Sequence, residues 1–177
     1  MTPIHVPTRD QVSPANQALF DQLKKGLGKV PNLYATLALS EHALGTYLAL
    51  QNAKSSITCK AREVVNLVVS QVNGCAYCLA AHTVIGGLVG FTPEQVVEIR
   101  RGGASWDPKL DALARLVKSI ASERGRPDPA LLDAFFAAGW TQEHLVDTIV
   151  TIGDKTVTNY LHATTQVPVD FPAAPAI

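Results

Sequence analysis

The chain lacks a net charge: fifteen Lys and Arg stand against fifteen Asp and Glu in 177 residues. A nucleic-acid binder needs a basic face, so nucleic acid is not an expected partner. Charge of either sign is scarce too, at 17% against about one residue in four for ordinary globular chains. A small domain so short of charge hides part of its surface against copies of itself, and a homo-oligomer is expected. No apolar run approaches the roughly 18 residues that a membrane span needs. The opening stretch "MTPIHVPTRDQ" has neither the basic flank nor the apolar core of a secretory signal, and a cytoplasmic location is expected. Cysteines number only three, few and odd, which argues against a secreted disulfide framework. In a reducing compartment a close cysteine pair points instead to catalysis or metal binding. GxGxxG and P-loop motifs are both absent, so no nucleotide cofactor is implied.

Strand patterning is missing as well. Between a proline-bearing arm (residues 1–14, with Pro3, Pro7 and Pro14) and a similar tail (residues 167–177, with Pro168, Pro172 and Pro175), the apolar residues recur at helical spacing. Start signals for helices are plentiful. Ser40, Thr58, Thr92-Pro93, Asp107-Pro108, Asp128-Pro129 and Thr141 each precede such a run, and Gln95 completes a capping box with Thr92. Glycines 74, 90, 102 and 139 mark stops. The expected architecture is an all-α bundle of eight or nine helices in a single domain. A faint repeat runs through it at an offset of 49 residues: "GFTPEQVVEI" matches "GWTQEHLVDT", and "KAREVVNLVVS" matches "KLDALARLVKS". The second copy has no counterpart of Glu63, Cys75 or Cys78.

What is present is "NGCAYCLAAH", residues 73–82, which holds two of the cysteines and a histidine. If Cys75 to His82 is helical, Cys78 lies about 60° and His82 about 20° from Cys75 around the axis. All three then share a face. Cys78 and His82 are an i,i+4 pair, the spacing at which side chains meet, so His82 is placed to take the Cys78 thiol proton or to pair with the thiolate. Cys75 follows Gly74 and falls in the first helical turn, where the positive end of the helix also favours a thiolate. The two arguments select different cysteines as the more acidic one. Glu63 stands among Val64, Val65, Leu67, Val68 and Val69, and a carboxylate on so apolar a helix is either at its edge or held for proton exchange. A zinc site wants about four ligands, and only three share this face. A thioredoxin-like domain would open its CxxC helix after a strand, and no strand precedes this one.

The order Glu63, eleven residues, Cys75-Ala76-Tyr77-Cys78, three residues, His82 resembles the signature of the AhpD-like alkylhydroperoxidases, within the wider carboxymuconolactone decarboxylase family. The segment "GKVPNLYATLALSEHALGTYLAL" is similar to the helical region that precedes it, and the likeness runs from about Phe20 to Val167. The resemblance implies an all-helical fold, a trimer or hexamer, and reduction of a hydroperoxide substrate by the cysteine pair. An external dithiol, lipoyl-type or thioredoxin-like, would act as reductant, without metal or other cofactor. It implies that Cys78 is the peroxidatic cysteine, Cys75 the resolving one, and Glu63 and His82 a proton relay. Tyr77 departs from the pattern, which has histidine there; tyrosine donates a hydrogen bond but is a poor base at neutral pH. Two other readings stay open: a disulfide reductase or redox-sensing oligomer without fast turnover, and a lactone decarboxylase, whose family branch lacks the cysteine pair.

Other residues invite less. Cys59 reads as a small apolar filler. His5 and His42 read as solvated, and His144 as a cap contact. Trp106 and Trp140 suit a core or an interface, and Arg100-Arg101 suits a helix C-terminus. His162 is a secondary candidate, because the long helix ending in "NYLHATTQ" is of a length to carry it to the active site of its own or a neighbouring subunit.

Overall fold

A computed structural model describes residues 4–177. Among them there are nine α-helices and no strand: α1 (Pro14–Leu27), α2 (Asn32–Leu37), α3 (Ala43–Gln51), α4 (Cys59–Val72), α5 (Ala76–Leu88), α6 (Pro93–Arg101), α7 (Pro108–Ser122), α8 (Pro129–Ala137) and α9 (Gln142–Thr165). None is long and apolar enough to cross a membrane. The helices fall into two compact units. The first comprises the N-terminal residues to Lys54 with Leu161–Asp170; the second comprises Ser55–Tyr160 with Phe171–Ile177.

Caps set the helix starts in the second unit. Thr58 accepts from the Ala61 N–H, Asp107 from Lys109 and Leu110, and Asp128 from Ala130. Thr92 and Gln95 close their capping box in both directions, which satisfies two of the N–H groups that a helix start leaves open. Helix α4 is the axis of this unit. Its Val64, Val65, Leu67 and Val68 are fully buried, packed with Ile99 of α6 and Leu113, Leu116 and Val117 of α7. Close approach of α5 to α6 depends on Gly86, where a Cβ would meet the Val96 Cγ2 at 3.3 Å.

The repeat is visible in the backbone. Helices α4 and α7 begin 49 residues apart, as do α6 and α9. Gly90 and Gly139, again 49 apart, both take positive φ (92° and 86°), a conformation that glycine adopts without steric cost. The loop after each makes the same bond, Phe91 N–H to Gly86 C=O and Trp140 N–H to Phe135 C=O.

In the first unit, Phe20, Leu44 and Tyr47 form a small core with Ala35 and Leu37. The expected arm of residues 1–14 is extended only in part. Residues 1–3, with Pro3, lie outside the described part of the chain. Arg9–Gln11 form a 3-10 turn and Pro14 is already the first residue of α1, capped by Ser13. Ser40 Oγ accepts from the His42 and Ala43 N–H groups (3.4 and 3.3 Å) ahead of α3, though the helix does not follow it directly. The buried Asn16 amide donates to the Ala38 and Ser40 carbonyls (3.1 and 2.9 Å), which holds a turn there, and the helix begins only at Ala43. The tail from Val167 is extended, but it packs on its own chain rather than reaching outward. In the first unit Asp170 pairs with Lys29, and in the second Phe171 meets Tyr77 edge-on while the Pro175 carbonyl accepts from Arg100.

Removing the Asn16 amide leaves the Ala38 and Ser40 carbonyls without their donor. Asn16→Ala is expected to cost about 2 kcal/mol, read as a lowered urea midpoint with unchanged slope.

Candidate active site

Helix α5 begins at a cysteine. Cys75 has extended backbone (φ −82°, ψ 96°), and its Sγ accepts from the Cys78 N–H at 3.3 Å. It is therefore the N-cap of α5 rather than a residue of its first turn, and the sequence-based angles that place it on a helical face do not apply to it. The cap holds the Cys75 sulfur against the residue three positions on, which is Cys78. Both cysteines are buried and neither is in a disulfide.

This geometry makes the two thiols unequal. The Cys75 thiol donates to the Cys78 sulfur, and that bond above all lowers the Cys78 pKa, against its burial; the positive charge of Lys155, the His82 ring and the Asn159 amide add to the effect, and Cys78 is pushed down to about 6. The same hydrogen bond raises the Cys75 pKa, with burial and the charge on Cys78 acting in the same direction. The Cys78 N–H at the helix terminus acts the other way, lowering the Cys75 pKa as a hydrogen-bond donor to its sulfur, but it is outweighed.

One turn after Cys78, His82 reaches across the α4–α5 packing. Its Nδ1 lies 2.7 Å from the Glu63 Oε2, and both side chains are less than a tenth exposed. The other carboxylate oxygen accepts from the Asn66 amide at 2.7 Å. Burial pushes the Glu63 carboxyl up. The His82 ring, the Asn66 amide and the Lys155 ammonium outweigh it and leave the group below the usual carboxylate range. Glu63 is thus buried, not at the edge of its helix, and kept as a carboxylate.

Glu63, Cys75, Cys78 and His82 are therefore together in the second unit. Tyr77 is buried there too, its ring against Phe171 (5.6 Å between centroids). His162 is buried near the C-terminal end of α9 and belongs to the first unit. Cys59 is exposed, which corrects its reading as an apolar filler: it stands at the first position of α4, where the side chain faces solvent. His5 and His42 are exposed, His144 bonds Thr141 at the start of α9, and Trp140 stacks on Phe135. Among the described residues no group of three or more His, Cys, Asp or Glu is placed to share a metal ion.

Two residues of the site escape the sequence reading. The amide of Asn159 on α9 lowers the pKa of both cysteines, and it is fixed by Ser70 Oγ (3.3 Å) and Asn73 Nδ2 (2.9 Å). Lys155, one turn earlier, is 2% exposed. The signal was a polar stripe at helical spacing, Thr148, Thr151, Lys155, Thr158 and Asn159, which is the buried face of α9.

Residues 39–119 match the model of the carboxymuconolactone decarboxylase family. No curated protein matches the chain significantly. Among solved structures, a peroxidase-related protein of a Silicibacter species is 21% identical, with 95% of this chain and 94% of that one covered and a TM-score of 0.82. A peroxidase-related protein of Ralstonia eutropha, described as an AhpD core, is 19% identical over 94% of this chain and 91% of that one, with a TM-score of 0.84. The debrominase Bmp8 is 15% identical over 96% and 93%, with a TM-score of 0.79. At such identities the likeness is one of fold. The stretch from residue 39 to residue 119 belongs to the carboxymuconolactone decarboxylase family, and the all-helical fold that carries it is AhpD-like.

Proposed function

We propose that the protein is a thiol peroxidase that reduces hydroperoxides through Cys78 and Cys75. The observation that carries this reading is the buried cysteine pair at the start of α5, where the Cys75 sulfur is held by the Cys78 N–H and the Cys75 thiol pushes Cys78 down to about 6. At neutral pH Cys78 is then largely thiolate, the nucleophilic form. It attacks the terminal oxygen of a hydroperoxide, the O–O bond breaks, and Cys78 becomes a sulfenic acid. The alkoxide leaves as an alcohol with a proton from His82, which Glu63 orients through Nδ1. Cys75 then loses its proton and attacks the Cys78 sulfur. Hydroxide leaves as water, and a disulfide closes. An external dithiol exchanges with that disulfide, is itself oxidised to a disulfide, and returns both thiols. In sum, hydroperoxide and dithiol become alcohol, water and the oxidised dithiol. Tyr77 is held by Phe171 as part of the wall around the pair, and a reducing compartment such as the cytoplasm suits the cycle.

The reading includes association of copies of the chain into a trimer or hexamer. Helix α9 supports this, because it turns its polar residues inward and leaves Val146, Ile149, Val150, Val157 and Tyr160 exposed. Apolar residues on one exposed helix stripe mark an interaction surface.

Peroxide consumption with a lipoyl-type dithiol as reductant should be catalytic and abolished by Cys78→Ser. A wild-type disulfide that forms in peroxide while consumption stays stoichiometric would instead identify a sensor or disulfide reductase. The rate of iodoacetamide reaction at Cys78 should fall as pH drops through about 6, because protonation removes the thiolate. Cys75→Ala should move that midpoint toward the ordinary value of about 8.5, and His82→Ala should move it less. Glu63→Gln should leave the midpoint nearly unchanged and slow turnover by about 100-fold. Light scattering should give a trimer or hexamer, and Ile149→Lys should dissociate it; a monomeric wild type contradicts the assembly.

A further inference from the structure

Helix α9 is built the wrong way round for a surface helix. Thr148, Thr151, Asp154, Lys155, Thr158 and Asn159 are buried, while its valines and Ile149 face outward. Burying polar groups is unfavourable unless each finds a partner, and burying a charge far more so. Asn159 has its partners in Ser70 and Asn73. Lys155 does not have an equivalent set. Its side chain is 2% exposed, and it belongs to none of the ion pairs among the described residues. Its hydrogen bond is to Thr158 Oγ1 at 3.5 Å, beyond the usual range for N–H···O.

A buried ammonium needs an anion nearby. Two groups on the neighbouring helices feel its charge: Glu63 on α4 and Cys78 on α5. Both oxygens of Glu63 are already engaged, one by His82 and one by Asn66. Asp154 precedes Lys155 and is buried, but its Oδ1 has no hydrogen-bond partner and it forms no ion pair with Lys155. The remaining anion is the Cys78 sulfur. Asn159, one turn after Lys155, bonds Ser70 and Asn73, and the Ser70 carbonyl accepts from the Cys75 N–H, so the same face of α9 lies against the start of α5.

We propose that Lys155 is the counter-ion of the Cys78 thiolate, a positioning residue that keeps Cys78 ionised in the reduced protein and thereby makes the Cys75–Cys78 disulfide readily reducible. The second half rests on the reading that the pair cycles between dithiol and disulfide. A disulfide carries no charge, so oxidation leaves the Lys155 ammonium buried without its anion. Whatever stabilises the thiolate therefore favours reduction.

The test uses the full-length protein with Lys155→Met, which keeps the length of the side chain and removes the charge, and Lys155→Arg, which keeps the charge. Replacing a buried charge by an apolar group of similar volume is often neutral for stability, and circular dichroism checks the fold. Two quantities are read. One is the pH midpoint of iodoacetamide reaction at Cys78. The other is the dithiol–disulfide equilibrium against glutathione, in which two glutathione thiols are oxidised to glutathione disulfide as the protein pair is reduced. Lys155→Met is expected to slow alkylation at pH 6 by about tenfold, and to shift the equilibrium toward the protein disulfide by a matching factor, about 30 mV for tenfold. Lys155→Arg is expected to restore most of both. An unchanged midpoint in Lys155→Met overturns the proposal, and so does an equal shift in Lys155→Arg, which would make packing rather than charge the cause. A Cys78→Ser variant guards against a Lys155→Met chain that does not fold. It should be less stable than the reduced wild type in urea, and more so at pH 8 than at pH 5, because only the higher pH supplies the thiolate it lacks; a pH-independent difference overturns the proposal. Peroxide turnover fails or succeeds separately. A shifted midpoint without turnover in the wild type removes the peroxidase reading and leaves the counter-ion in place.

Discussion

Glu63 meets His82 across the packing of α4 on α5, carboxylate to ring nitrogen at 2.7 Å, with both groups buried. Much of the site follows from that contact. A buried carboxylate with one partner missing is strongly destabilising, so helix α5 is fixed against α4 in the register that brings the two together. Asn66 takes the second oxygen, so the carboxylate is fully occupied without the cysteines. The imidazole has one nitrogen committed and its ring orientation fixed. Cys78, one helical turn away, is then fixed in relation to both.

The second constraint is the cap. Helix starts in this chain are mostly closed by Thr or Asp oxygens, and α5 is closed by sulfur. A thiol is a poor acceptor compared with a hydroxyl, so the cap costs some helix stability and is hard to explain by folding alone. What it achieves is asymmetry. One sulfur keeps its proton and donates it; the other receives that bond together with its own position in the first turn of a helix, where negative charge is favoured. Two thiols of unequal acidity are thereby placed within four residues. The polar face of α9 adds Asn159 to this pair and Lys155 to the charge balance, so the second half of the duplicated unit contributes to the site even though it has no cysteine of its own.

Much of this was legible in the sequence wherever the physics is local. The caps at Thr58, Thr92, Asp107 and Asp128 are interactions within three residues, and they appear where the residue types indicate. Cys78 and His82 were readable for the same reason, as an i,i+4 pair, whereas Glu63 entered the site through the resemblance to the AhpD-like signature. Ser40 does accept from the His42 and Ala43 N–H groups, but α3 begins at Ala43, two residues later than the sequence suggests. Cys75 was misread because a cap and a first-turn residue look alike in sequence when the capping atom is sulfur. Lys155 and Asn159 were missed because apolar periodicity is taken to mark the buried face. In α9 that rule is inverted, and only the polar stripe would have shown it. The exposure of Cys59 likewise depends on which side of α4 meets its neighbours, which periodicity at a helix end does not fix.

The central claim is that Cys78 is the sulfur attacked by peroxide and Cys75 the one that resolves it. Mass spectrometry after trapping with dimedone tests this most directly. In Cys75→Ser treated with one equivalent of hydroperoxide, the adduct should appear on Cys78; in Cys78→Ser no adduct should form on Cys75; and in the wild type the peptide holding both should instead lose two hydrogens as the disulfide closes. An adduct on Cys75 in the Cys78→Ser chain, or a disulfide that includes Cys59, would contradict the account.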